Sequence, residues 1–231
     1  MYRRKQVFSV MTDSESFLFV VVINTIYEIF VFAIVYKCYF LTITNHFPDV
    51  EDDTNKGKTY EEKINFYFSD YEKALELSET VGIKVFCGIE TSYGGTDFLV
   101  YGLDKEWFLA HPEIMHMKQS DKLAFMRENG VLIIQAHPFR EAFYIDHIRL
   151  FPRHVDGVEI MNANRPEEEN NLAKIYCEHY GLIKFAGSDN HSASKQNKLF
   201  GICFDEPVCS IEDFIEKAKK HKAEIFTFTN E

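Results

Sequence analysis

Imidazole, carboxylate and amide side chains recur in this sequence directly after short apolar runs. His46 follows YFLTIT and Asn45, Glu90 follows IKVFCGI, and His137 follows VLIIQA. Asp189 and His191 follow LIKFAG and Ser188, and Asn162 ends the run VDGVEIMN. Nitrogen and oxygen donors mixed in this way suit Zn, Fe or Mn. If each run is a strand of a parallel barrel, all these ends open onto one rim, where such barrels place their sites. The spacing therefore predicts one metal-binding rim built from His46, Glu90, His137, Asp189 and His191. Arg140 lies just past His137, and Arg165 just past Asn162 and Asn164. Guanidinium forks suit phosphate oxygens, so both are candidates for substrate binding. Ordinary surface or helix-start charges are their alternative roles.

Regular elements must carry these ends. Thr59 and Glu62 form a capping-box pattern at the start of a helix, with Ile64, Phe68, Tyr71 and Leu75 on one face and Gly82 as its stop. Residues 83–89, 98–103, 131–136, 155–161 and 182–187 read as strands. Ser120 is placed to cap a helix reaching about Asn129. Pro166 suits the first turn of another helix, which Gly181 ends. A GICF strand, a helix capped by Ser210 and a final AEIFTF strand complete the pattern. Alternating strands and helices predict a parallel α/β fold, with residues 39–231 as one barrel domain and residues 1–38 as an atypical N-terminal segment.

Composition narrows the function classes. A net charge of −11 over 231 residues disfavours general binding to nucleic acid by bulk electrostatics. An anionic substrate would need local cations or metal. The five cysteines are scattered and form no CxxC pair, which predicts reduced thiols and a cytoplasmic setting. Residues 17–36 are apolar or aromatic except for Asn24, Thr25 and Glu28. That length could cross a bilayer, and Arg3, Arg4 and Lys5 precede it in the positive-inside sense. The other readings are a buried strand and helix of the core, or a misplaced start or reading frame. Glu28 opposes the membrane reading, because an acidic side chain near mid-bilayer costs roughly 2.5–3.5 kcal/mol.

LTITNHF, VFCGIE, QAHPF and AGSDNH together resemble the later motifs of the PHP family (polymerase and histidinol phosphatase), in the family's order, over about residues 39–205. YGGTDFLVYGL and AHPFREAFYIDHIRL resemble its small stand-alone branch. The resemblance implies a distorted (β/α)7 TIM-like barrel that hydrolyses phosphate esters. It implies a site for up to three divalent ions, with metal-activated water as the nucleophile and a small phosphorylated substrate. Residue by residue, His46, Glu90, His137, Asp189 and His191 fall on metal-binding positions. The resemblance pairs Glu90 with Asp189 on one ion, Glu90 with His137 on a second, and His46 with His191 on a third, to which Asp13 could add an oxygen. The family's first H-x-H motif is missing: RRKQVFSV stands in its place, and no histidine precedes His46. Asn45 replaces the usual aspartate, and Tyr101 stands about where several members carry another histidine. Fewer ions and weak or absent turnover are the expected consequences, and a non-catalytic relative is the alternative. The family's opening strand and helix occupy residues 17–36, which predicts that this segment completes the barrel and does not span a membrane.

Overall fold

The computed structural model describes residues 16–21, 40–48, 55–189 and 198–229. Its strands are β1 (Ser16–Val21), β2 (Phe40–Ile43), β3 (Lys84–Tyr93), β4 (Thr96–Tyr101), β5 (Leu132–Ala136), β6 (Gly157–Asn162), β7 (Ile183–Gly187), β8 (Lys198–Phe204) and β9 (Glu224–Thr229). The helices among the described residues are α1 (Tyr60–Val81), α2 (Lys105–Ala110), α3 (Gln119–Arg127), α4 (Glu167–Tyr180) and α5 (Ile211–Lys219), with a 3-10 turn at Pro112–His116. The strands form one sheet in the order β7-β6-β5-β4-β3-β2-β1-β8-β9.

The sheet is mixed, which corrects the expectation of an all-parallel one. Neighbours β1–β2, β2–β3, β5–β6 and β6–β7 are parallel, whereas β3–β4, β4–β5, β1–β8 and β8–β9 are antiparallel. One reversal has a local cause. Gly94 and Gly95 take φ of 56° and 81°, the backbone of a two-residue hairpin turn that glycine allows. The reversal leaves β2, β3, β5, β6 and β7 running in one direction, so their C-terminal ends share an edge.

The sheet curls. The Phe214 ring of α5 lies 6.3 Å from Phe40 of β2, 5.3 Å from Tyr101 of β4, 6.3 Å from Phe185 of β7 and 6.1 Å from Phe204 of β8. One side chain can meet strands so distant in sheet order only if the sheet bends around it. Beyond β7, the Ser188 hydroxyl donates to the Phe200 carbonyl of β8 and accepts from the Phe200 N–H, both at 3.0 Å. The result is a mixed α/β half-barrel of the kind expected from a distorted TIM-like fold.

Local signals place most elements. Glu62 N–H donates to Thr59 Oγ1 at 3.3 Å, and Thr59 N–H donates to Glu62 Oε2 at 2.8 Å, completing the capping box of α1. Helix α3 begins at Gln119, with Lys118 at the cap and no side-chain capping bond. Ser120 thus lies inside the first turn, not at the cap. Residues 17–21 of the long apolar run form most of β1, an inner strand between β2 and β8. Residues 22–36, like Asp13, lie outside the described residues. Among the described residues no helix is long and apolar enough to cross a membrane.

Gly157 shows how tightly the sheet is packed. A Cβ there would stand 2.7 Å from the Ile183 carbonyl oxygen and 2.6 Å from Ile134 Cδ1. Backbone cannot yield as a side-chain tip can, so Gly157→Ala should lower stability by about 1–3 kcal/mol. Equilibrium urea unfolding measures the change, and a loss below about 0.5 kcal/mol would contradict this packing.

Candidate metal centre

Glu90 faces the interior of the half-barrel from β3. Leu99 opposes Glu90 and Asp97 opposes Ser92 in the β3–β4 register. Asp97 is therefore the diagonal neighbour of Glu90 on the same face. Asp97 also pairs with Ala136 of β5, and His137 follows directly. Strict pleat alternation would turn His137 to the face opposite Ala136. Instead its φ is +24°, and the altered backbone brings the imidazole to the interior. His137 Nε2 then lies 3.7 Å from Glu90 Oε1 and 3.6 Å from Asp97 Oδ2. All three residues are buried.

His46 is exposed, and its Nδ1 is 3.4 Å from Glu90 Oε2. Backbone pairing holds it there: Glu90 N–H donates to the Asn45 carbonyl at 3.0 Å, and Phe47 N–H donates to the Glu90 carbonyl at 2.7 Å. Asp189 has a left-handed φ of +46°. Its charge acts on His137, but Asp189 is not part of the tight Glu90–Asp97–His137 group, whose donor atoms lie within 4.8 Å of one another. His191 lies outside the described residues. The Arg140 guanidinium stands 2.8 Å from Asp97 Oδ2 and donates to the Gly95 carbonyl at 3.3 Å. Arg165 Nε donates to the Asn164 carbonyl at 2.9 Å, and its NH1 lies 3.9 Å from Glu169.

Two site residues escaped the sequence reading. Asp97 sits near the start of β4, a strand that runs against its neighbours, so a search restricted to strand ends passes over it. Tyr101, the position compared with a family histidine, is instead fully buried in the core. Glu159 lies within β6, is 3% exposed, and accepts from His137 N–H at 2.9 Å and Asn162 Nδ2 at 3.0 Å. A charged residue inside each of the apolar runs TDFLVY and GVEIM was the available signal.

The donors fit a divalent ion. Two carboxylates and one imidazole make an O,O,N set suited to Zn, Mn or Fe. Bonds of about 2.0–2.2 Å around a tetrahedral ion would put ligand atoms about 3.4 Å apart, close to the separations between His137 and the two carboxylates. Glu90 Oε2 is buried without a hydrogen bond, and Asp97 Oδ2 faces the Arg140 guanidinium at 2.8 Å. A divalent ion would take over from Arg140 and the His137 proton in offsetting these two buried carboxylates.

Charge couples this centre to pH. Burial would lower the His137 pKa, but the adjoining Glu90 carboxylate and the charges of Glu159, Asp97 and Asp189 outweigh it and raise it from 6.5 to about 9. Burial pushes the Glu159 carboxyl up to about 7, opposed by the His137 charge and the Asn162 hydrogen bond. In the metal-free chain the proton on His137 stabilises the fold fully below pH 6.5. That stabilisation is lost as pH rises through about 9. A bound ion must displace the same proton. Metal affinity should therefore rise roughly tenfold per pH unit below 9 and level off above it. Calorimetric titration with Mn²⁺ across pH 6–9 measures this, and a flat profile would contradict it.

No family model matches the sequence, and no curated protein matches it significantly. Solved structures do match. A two-domain Bacteroides vulgatus protein containing a predicted PHP-like metal-dependent phosphoesterase aligns over 99% of this chain and 70% of its own, with TM-score 0.70 and 14% identity. PsfC from Pseudomonas syringae aligns over 94% of this chain and 92% of its own, with TM-score 0.60 and 14% identity. An amidohydrolase from Chromobacterium violaceum, solved with bound sulfate and no metal, aligns over 90% of this chain and 97% of its own, with TM-score 0.55 and 14% identity. These likenesses establish the fold alone, one that this chain shares with all three proteins.

Proposed function

We propose that this chain is a metal-dependent hydrolase of phosphate esters whose turnover is slow. The observation that carries the reading is the buried Glu90–Asp97–His137 group beside the exposed His46, on a fold shared with a protein that contains a predicted PHP-like metal-dependent phosphoesterase. Glu90, Asp97 and His137 would hold one divalent ion, with His46 at its exposed side and Asp189 nearby; His191 is a further ligand by resemblance alone. Zn, Mn or Fe would be its identity. Such an ion, when bound, lowers the pKa of water and offsets charge on phosphoryl oxygens.

The protein's own groups supply the rest. Arg140 is placed to turn from Asp97 to a substrate phosphate once Asp97 is neutralised, and Arg165 offers a second guanidinium near the rim. Burial of Glu90 and Asp97 keeps their charge largely unscreened, so it acts strongly on a cation. RRKQVFSV stands where the resemblance expects the first histidine motif, and this is the reason for expecting slow turnover. A second reading is a metal-binding protein without turnover, favoured by the Arg140–Asp97 ion pair, which already engages a candidate metal ligand.

The test is hydrolysis of bis(p-nitrophenyl) phosphate and p-nitrophenyl phosphate by the full chain with Mn²⁺, Zn²⁺ or Fe²⁺. The proposal expects slow turnover that chelation abolishes and added metal restores. Metal binding with no turnover on either ester would favour the second reading. Turnover unaffected by chelation would contradict both.

A further inference from the structure

We propose that Glu159, together with Asn162 and Asn164, positions the metal centre by holding His137 and Asp189 in their left-handed backbone conformations. The inference rests on the reading of Glu90, Asp97 and His137 as metal ligands. It assigns Glu159 no contact with the ion or the substrate.

The geometry runs through one chain of hydrogen bonds. His137 has a φ of +24° and Asp189 a φ of +46°, a region that side-chain-bearing residues enter at a cost of order 1–3 kcal/mol. Such conformations persist only where their surroundings enforce them. Glu159 Oε2 accepts from the His137 N–H at 2.9 Å and from Asn162 Nδ2 at 3.0 Å. Asn162 Oδ1 in turn accepts the Asn164 N–H at 2.9 Å. Asn164 Nδ2 reaches across to the next strand end, donating to the Ser188 carbonyl at 2.8 Å and the Asp189 carbonyl at 2.7 Å. Asn162 is fixed from its other side: its N–H donates to Asn170 Oδ1 at 3.0 Å, and Asn170 Nδ2 donates to its carbonyl at 3.1 Å. The amide side chain of α4 thereby anchors the middle of the chain.

The turn at His137 is what the site requires. With regular pleating the imidazole would leave the face that carries Asp97. Glu159 holds the amide of that turn from the interior side of β6, where Val158 and Ile160 pack outward into a separate cluster with Ala173 and Tyr176 of α4. Glu159 is thus a positioning residue: it acts on metal affinity through the orientation of His137. The bond it makes is an acceptor's, so a neutral amide oxygen in its place can make it too.

The experiment compares the full chain with Glu159→Ala, Glu159→Gln and Asn164→Ala. It measures Mn²⁺ affinity by calorimetry, hydrogen exchange of the His137 amide in the metal-free protein, and melting temperature. Glu159→Ala should weaken Mn²⁺ binding about 10–100-fold, the range typical of groups that orient ligands, and should speed exchange at His137. Glu159→Gln should bind no worse than about threefold below the parent, because the amide oxygen still accepts both bonds. Asn164→Ala, at an exposed position, should weaken binding by about threefold to tenfold, and it decides the question if Glu159→Ala does not fold. A lower melting temperature with unchanged Mn²⁺ affinity in Glu159→Ala and Asn164→Ala would overturn the inference. Equal losses in Glu159→Gln and Glu159→Ala would overturn it too, by assigning the effect to charge. Absence of Mn²⁺ binding by the parent chain would instead overturn the metal reading on which the inference rests.

Discussion

Asp97→Asn should weaken Mn²⁺ binding by more than about 100-fold while the protein stays folded. Groups that merely orient metal ligands typically account for 10–100-fold, and Asp97 is read as a ligand. Its Oδ2 lies 3.6 Å from His137 Nε2 and 2.8 Å from the Arg140 guanidinium. Asparagine keeps the shape and an oxygen acceptor but removes the charge. Alanine would be a poorer test, because it also empties buried space and leaves the Arg140 guanidinium no oxygen to bond, which would mix folding with binding. Phosphodiester turnover should fall with occupancy and recover in part at high Mn²⁺. Calorimetry on protein whose far-ultraviolet circular dichroism is unchanged reads the effect. Affinity equal to that of the parent would remove Asp97 from the centre and return the site to the strand-end residues alone.

Phe214→Ala should cost about 3–5 kcal/mol of stability, the range for a large aromatic removed from a core. Phe214 is fully buried, and its ring is near Phe40, Tyr101, Phe185 and Phe204. These four stand on β2, β4, β7 and β8, so the cavity left by alanine would open among strands from both ends of the sheet. The amphipathic helix α5 would lose its central contact, and the curl that brings β7 towards β8 would lose its support. Urea unfolding of the metal-free protein measures the difference. A loss under about 1 kcal/mol would mean that the ring is not a shared plug and that the strands close by other means.

Much of this architecture could be read from the residues. The Thr59–Glu62 box and Gly82 mark both ends of α1 because caps are local chemistry that tertiary structure seldom overrides. The apolar runs around residues 83–89, 131–136 and 182–187 became β3, β5 and β7 because buried strands declare themselves by composition. His46, Glu90 and His137 came together since their strands share a direction.

The direction of β4 was harder to read. An antiparallel insertion within a βα pattern leaves little trace beyond Gly94 and Gly95, and it carries Asp97 to the site from a strand's beginning. Glu159 was hidden for a different reason. Its contribution is a hydrogen bond to the backbone of a residue on another strand, and no spacing in the sequence encodes that contact. The kink at His137 is similarly tertiary in origin, since nothing in QAHPF requires a positive φ at the histidine.

The metal centre requires Glu90, Asp97 and His137 to hold one divalent cation together. Crystals of the full chain grown with Mn²⁺ and measured for anomalous scattering test it directly. The predicted result is an anomalous peak at bonding distance, about 2.0–2.3 Å, from a Glu90 oxygen, an Asp97 oxygen and His137 Nε2, with Arg140 moved away from Asp97. A fully soaked crystal with no peak among these three side chains, or with Arg140 still paired to Asp97 and the ion bound elsewhere, would contradict it.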